Sequence, residues 1–109
     1  MCSSDLAALQ PDPVLPLADY VNRARLEFEA GRLGQALSIL NTMEQHYPQG
    51  SDEAWWLFGQ ILEANSTNRD IRLALEYYRR LLNEYPYSNR AGDAQRRIAY
   101  LERFFFNIR

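Results

Sequence analysis

His46 and Cys2 are the single histidine and the single cysteine of this 109-residue chain. Together they are the residue types of a thiol nucleophile and its base. Their positions oppose that chemistry. Cys2 stands in a proline- and polar-rich stretch without helical period, which cannot hold a thiolate in fixed geometry beside a helix-borne imidazole. His46, at the end of a predicted helix, has the ordinary role of a side chain favoured by the helix dipole. One histidine and one cysteine also fall short of a zinc ligand set. Glu27 and Glu29 are two apart on a predicted helix, where side chains do not face each other, so they form no acid–base pair. The glycines are isolated, with none of the clustering that cradles a phosphate. Asn65-Ser66-Thr67 has the form of a glycosylation sequon, a tripeptide that arises readily by chance. These residues point away from catalysis, metal binding and cofactors.

Recognition chemistry is better supplied. All twelve basic residues are arginine, whose planar guanidinium suits bidentate binding of carboxylate or phosphate. Their distribution is uneven. Residues 1–65 hold three arginines and nine acids, a balance of −6, whereas residues 66–109 hold nine arginines and five acids, a balance of +4. Acids interleaved among these arginines argue against nucleic-acid binding. The apolar run Phe104-Phe105-Phe106 is far short of a membrane span, as is every other apolar run in the chain. A lone cysteine excludes an internal disulfide.

The elements that must position these side chains follow from an internal repeat. Ala36-Leu37…Leu40…Met43…Tyr47-Pro48 recurs 38 residues later as Ala74-Leu75…Tyr78…Leu81…Tyr85-Pro86. Positions four and seven from the alanine share a helix face. The small residue at its head admits a neighbouring helix, and Tyr-Pro stops the helix because the residue before proline is driven out of the α region. Such a repeat belongs to a stacked array. The pattern predicts five helices, over about residues 17–30, 33–46, 51–65, 70–84 and from 88–89 to the last few residues. Gly31 is placed at a left-handed turn. Ser51, with Asp52 and Glu53 behind it, caps the third helix, Asp70 opens the fourth and Ser88-Asn89 the fifth. On the fifth, Ala91, Ala94, Ile98, Leu101 and Phe105 form the buried stripe, and Arg90, Arg97 and Glu102 face out. Residues 1–16 read as a flexible tail or tether and residues 17–109 as one domain.

Trp55-x-x-Phe58-Gly59-x-x-Leu62, followed by Ala74-x-x-x-Tyr78 and Pro86, resembles the tetratricopeptide repeat, a 34-residue helix–turn–helix. Ser66-Thr67-Asn68 reads as an insertion in its turn, a tolerable one because closure entropy grows slowly with loop length. The resemblance covers roughly residues 17–105. It implies an all-α, right-handed solenoid of two helix–turn–helix repeats plus a C-terminal capping helix. It also implies a concave groove on the first helices of each repeat, lined by Arg25 and Phe28 beside Val21, and by Trp56 and Gln60 beside Glu63. Adjacent residues on a helix point about 100° apart, so Trp55 is assigned to the core and Trp56 to the groove. The alternative is that both are buried between layers. With no lysine, the chain does not reproduce the carboxylate-binding set of the family's chaperone-tail receptors.

The junctions Tyr47-Pro48-Gln49-Gly50-Ser51 and Tyr85-Pro86-Tyr87-Ser88-Asn89 resemble those of bacterial envelope proteins of the BamD type, lipoproteins of the β-barrel assembly machinery. CpoB-type periplasmic repeats are a second match. Cys2-Ser3-Ser4-Asp5 ahead of a Pro-rich stretch is similar to the start of a mature lipoprotein. The resemblance implies a non-catalytic scaffold on the periplasmic face of the outer membrane. It would be held there by lipid on Cys2 alone and would bind envelope assembly proteins. A soluble cytoplasmic adaptor that holds a peptide in its groove is the alternative. On the fifth helix Arg96, Tyr100, Arg103 and Phe104 share a face that the core does not require. They form a second candidate contact surface, attracted to acidic partners by the positive half.

Overall fold

The computed structural model describes residues 14–106, and every regular element among them is helical. In order they are α1 (Leu17–Glu29), α2 (Leu33–His46), α3 (Asp52–Glu63), α4 (Ile71–Glu84) and α5 (Ala91–Leu101), the last running into a π-helical turn, Glu102–Phe106. α1 packs on α2, α3 on α4, and α5 on α4, with lesser contacts from α3 to α1 and α2. Cys2 lies outside the described residues.

The helix ends follow local chemistry. Ser51 Oγ accepts the backbone N–H of Ala54 at 3.1 Å, and Asp70 Oδ1 accepts that of Leu73 at 3.1 Å. Each satisfies a donor that has no partner inside its helix. α1 gives way to Gly31 at φ +85°, a conformation open to glycine at no steric cost. α2 and α4 both end at the tyrosine ahead of a proline, where the backbone is no longer helical.

One alanine on each helix is fully buried: Ala24, Ala36, Ala54, Ala74 and Ala94. These small residues let the helix backbones approach. The space beside them is filled by α3 and α4. Phe58 stacks on Tyr77 with centroids 4.0 Å apart, Trp55 lies 5.4 Å from Tyr77, and Trp56 lies 5.4 Å from Tyr78. Gly59 is required here, because a Cβ would run into the Tyr78 ring. Gly50, at φ +52°, has the Trp55 indole where its Cβ would stand.

The tyrosines of the two Tyr-Pro junctions do more than end helices. Tyr85 donates its hydroxyl to the carbonyls of Gln49 (2.8 Å) and Gly50 (3.2 Å), and Tyr47 donates to the carbonyl of Leu15 (2.8 Å). Each junction is thereby fastened to the chain that precedes the repeat. Leu15 also donates its backbone N–H to the Tyr20 hydroxyl at 3.2 Å, so the end of the expected tail is already docked.

Three expectations need correction. α3 stops at Glu63 rather than near Asn65, and Asp70 N–H donates back to the Leu62 carbonyl at 2.8 Å to close the turn. α5 begins at Ala91, because Ser88 Oγ accepts the Arg90 N–H at 2.9 Å and donates to Asp52 at 2.6 Å. Phe105, expected in the buried stripe, is 42% exposed, and Phe106 packs on the core instead. The π-helical turn is the cause. Its i→i+5 bonding widens the turn by one residue, so the buried position after Leu101 becomes Phe106.

Candidate protein-binding groove

The inner edges of α1 and α3 form a concave surface. One depression of about 260 Å³ is lined by Arg25, Phe28, Trp56 and Gln60, with Glu53 and Arg90 at its rim. A second, of about 350 Å³, continues it past Phe28, Trp56 and Gln60 toward Glu63 and Arg97. The four residues expected in the groove are therefore side by side. Val21, expected on the same rung, is buried in the core instead. Trp55 is fully buried and Trp56 is 9% exposed, so one indole fills the core and the other is a largely covered floor to the groove.

Two side chains of the groove that were expected to face solvent are only part-exposed and are held by acids of α3. Arg90 clamps Glu53 through Nε at 3.0 Å and Nη2 at 3.2 Å and lies 5.4 Å over the Trp56 ring. Arg97 holds Glu63 with both Nε, at 3.1 Å, and Nη2, and stacks 4.5 Å over Tyr100. Arg25 approaches Glu53 from the other side at 3.5 Å. The signal lay in the sequence, as acids of α3 set one repeat ahead of arginines of α5. It is not a helix-face signal, because the partners stand on different helices. These clamps account for much of the charge asymmetry between the halves. Glu44 likewise meets Arg80 at 2.9 Å. The +4 balance is spent largely on neighbours within the fold, which removes most of the expected pull on an acidic partner.

Glu63 also accepts the Tyr78 hydroxyl. Burial first, and then that hydrogen bond, push the Tyr78 hydroxyl far above the ordinary tyrosine range, so it stays a donor. The hydrogen bonds that Arg97 donates to Glu63 raise its guanidinium against the opposing effect of burial. The groove wall thus presents fixed guanidinium groups over aromatic faces and one half-covered amide, Gln60. That arrangement can bind polar and apolar parts of a polypeptide. No group of three or more His, Cys, Asp or Glu side chains able to hold a metal occurs among the described residues.

The four residues of the second expected surface lie elsewhere. Tyr100 and Phe104 are exposed and in contact, with centroids 4.5 Å apart. Arg96 is exposed and pairs with Asp93 on its own helix. Arg103 is exposed on the π-helical turn. None of them lines the groove.

The chain is 35% identical over 92 residues to an uncharacterized protein of Treponema pallidum (strain Nichols), a match covering 83% of this chain and 18% of that protein. It is 36% identical over 55 residues to an uncharacterized protein of Borreliella burgdorferi, covering 50% of this chain and 16% of the relative. The chain spans under a fifth of the length of these relatives. No family model matches it, and no solved structure does.

Proposed function

We propose that this protein is a non-catalytic helical scaffold of the tetratricopeptide type that docks a segment of a partner protein in the groove between α1 and α3. The observation that carries this reading is the convergence of Arg25, Phe28, Trp56 and Gln60 on one concave surface, with Arg90 and Arg97 fixed at its edge. Aromatic and arginine side chains held in place bind at low entropic cost, which is how protein contacts gain affinity from few residues. The setting we propose is the bacterial envelope, on the periplasmic face of the outer membrane. Lipid on Cys2 would anchor the chain, and the partner would be a component of outer-membrane protein assembly, as in BamD-type lipoproteins.

A photo-crosslinking side chain placed at Gln60, and at Glu76 as a control outside the groove, tests the docking. The expected result is a crosslink from position 60 to one segment of one envelope protein, lost when Phe28→Ala is added. Equal labelling from both positions would sink the groove assignment. Mass spectrometry of the protein from its own host tests the anchor: acyl chains on Cys2 are expected, and an unmodified cysteine rejects them.

A further inference from the structure

Seven arginines lie within 4.0 Å of a carboxylate: Arg25, Arg32, Arg79, Arg80, Arg90, Arg96 and Arg97. The other four among the described residues are Arg23, on α1, and Arg69, Arg72 and Arg103 at the far end of the molecule. Arg69 and Arg72 are stacked on phenylalanines of the π-helical turn, with their guanidinium carbons 4.8 Å from the Phe105 centroid and 4.9 Å from the Phe106 centroid. Arg69 is held there by an Nε bond to the Glu63 carbonyl at 3.1 Å. Two nearby acids are engaged elsewhere, and Glu76, one turn after Arg72, lines the same depression as Arg72 and Phe106. Asp70 caps α4, and Glu102 binds Arg79. Arginines outnumber the acids at this end among the described residues, and beside them stand the exposed aromatics Phe104 (66%), Tyr100 (44%) and Phe105 (42%).

We infer that this tip seats on an anionic phospholipid surface. A guanidinium stacked on a ring keeps its N–H edge free for phosphate oxygens. Phe104 and Phe105 carry no polar atom, and their transfer into the acyl boundary removes apolar surface from water. Tyrosine beside them suits the headgroup level. The choice of lipid over a polynucleotide follows from the stacks: Phe105 and Phe106 each already have a face covered by arginine, which leaves less of them for bases. This contact is separate from the groove and does not depend on the lipid proposed on Cys2.

The test uses the full chain carrying Cys2→Ser, sedimented with phosphatidylcholine vesicles that either contain or lack phosphatidylglycerol. Binding is expected only with the anionic lipid and only at low salt. Arg72→Gln should weaken partitioning about fivefold, and Phe104→Ser about tenfold. Arg32→Gln, whose arginine is already paired with Glu27, should leave it unchanged. Unchanged melting midpoints check that the exposed substitutions leave the fold intact. Equal binding to neutral vesicles, or no loss in Arg72→Gln, overturns the inference. So does a tip that ignores vesicles but binds a polyglutamate peptide or a single-stranded oligonucleotide.

Discussion

α3 and α5 both follow a Tyr-Pro junction, yet they are built to different ends. α3 buries eight of its twelve residues, among them Trp55, Phe58, Ile61 and Leu62, because helices cover it on more than one side. α5 buries two, Ala94 and Leu101, and shows Gly92, Gln95, Arg96, Ala99 and Tyr100 to water. A helix covered on two faces must be apolar on both, whereas α5, which among the described elements packs mainly on α4, needs one apolar face. The two helices teach that position in the stack, not the repeat pattern alone, decides composition.

The sharpest way to break this comparison is at the two aromatic sites. Trp55→Ala in α3 should cost roughly 3–5 kcal/mol, whereas Tyr100→Ala in α5 should cost under about 1 kcal/mol. Urea midpoints of the two variants decide it, and equal shifts would mean that α5 is as central as α3. Glycines give a finer contrast of opposite sign. Gly59→Ala forces its Cβ into Tyr78 and should destabilise by about 1–3 kcal/mol. Gly92→Ala meets only Arg96 Nη1, at 3.7 Å, and should stabilise by about 0.5–1 kcal/mol through helix propensity. Thermal melts of both variants test this.

Alkaline pH probes the tyrosines of α4 and what they touch. Burial, and then bonds to Glu44 and Glu63, raise the Tyr77 and Tyr78 hydroxyls above the ordinary tyrosine value. In the unfolded chain both ionise near about pH 10. The folded state therefore holds protons that the unfolded state releases. Stability is complete below that pH and falls as pH rises above it, by up to about 1.4 kcal/mol per pH unit for each tyrosine. Tyr78→Phe should make this decline shallower, as read from denaturant midpoints at stepped pH. The smallest effect is expected at the clamp joining the two helices. Arg97 is about a third exposed, so Arg97→Gln should cost no more than about 1 kcal/mol, and less in high salt.

Much of the fold was legible because it rests on local rules. Ala36 and Ala74 had to be small, Gly59 had to admit a ring, and Ser51 and Asp70 had to cap helices, and each does so. Arg25, Phe28, Trp56 and Gln60 could be placed on one surface because helical spacing assigns faces. What spacing does not encode is the partner across a helix pair. Arg90 and Arg97 looked solvated on their own helix and are clamped by another. Nor does an α period reveal a turn of different width, which is why Phe105 and Phe106 exchanged places.

The clamps from α5 to α3 have a consequence for biogenesis. Glu53 is synthesised 37 residues ahead of Arg90, and Glu63 is synthesised 34 residues ahead of Arg97. At ordinary elongation rates the delay is about two to seven seconds. During that interval Glu53 has only Arg25 beside it and Glu63 has no arginine, so α3 keeps an acidic, hydrated edge. Docking of α5 ends that state, so the folding of α5 and the discharge of the acidic edge of α3 are one event.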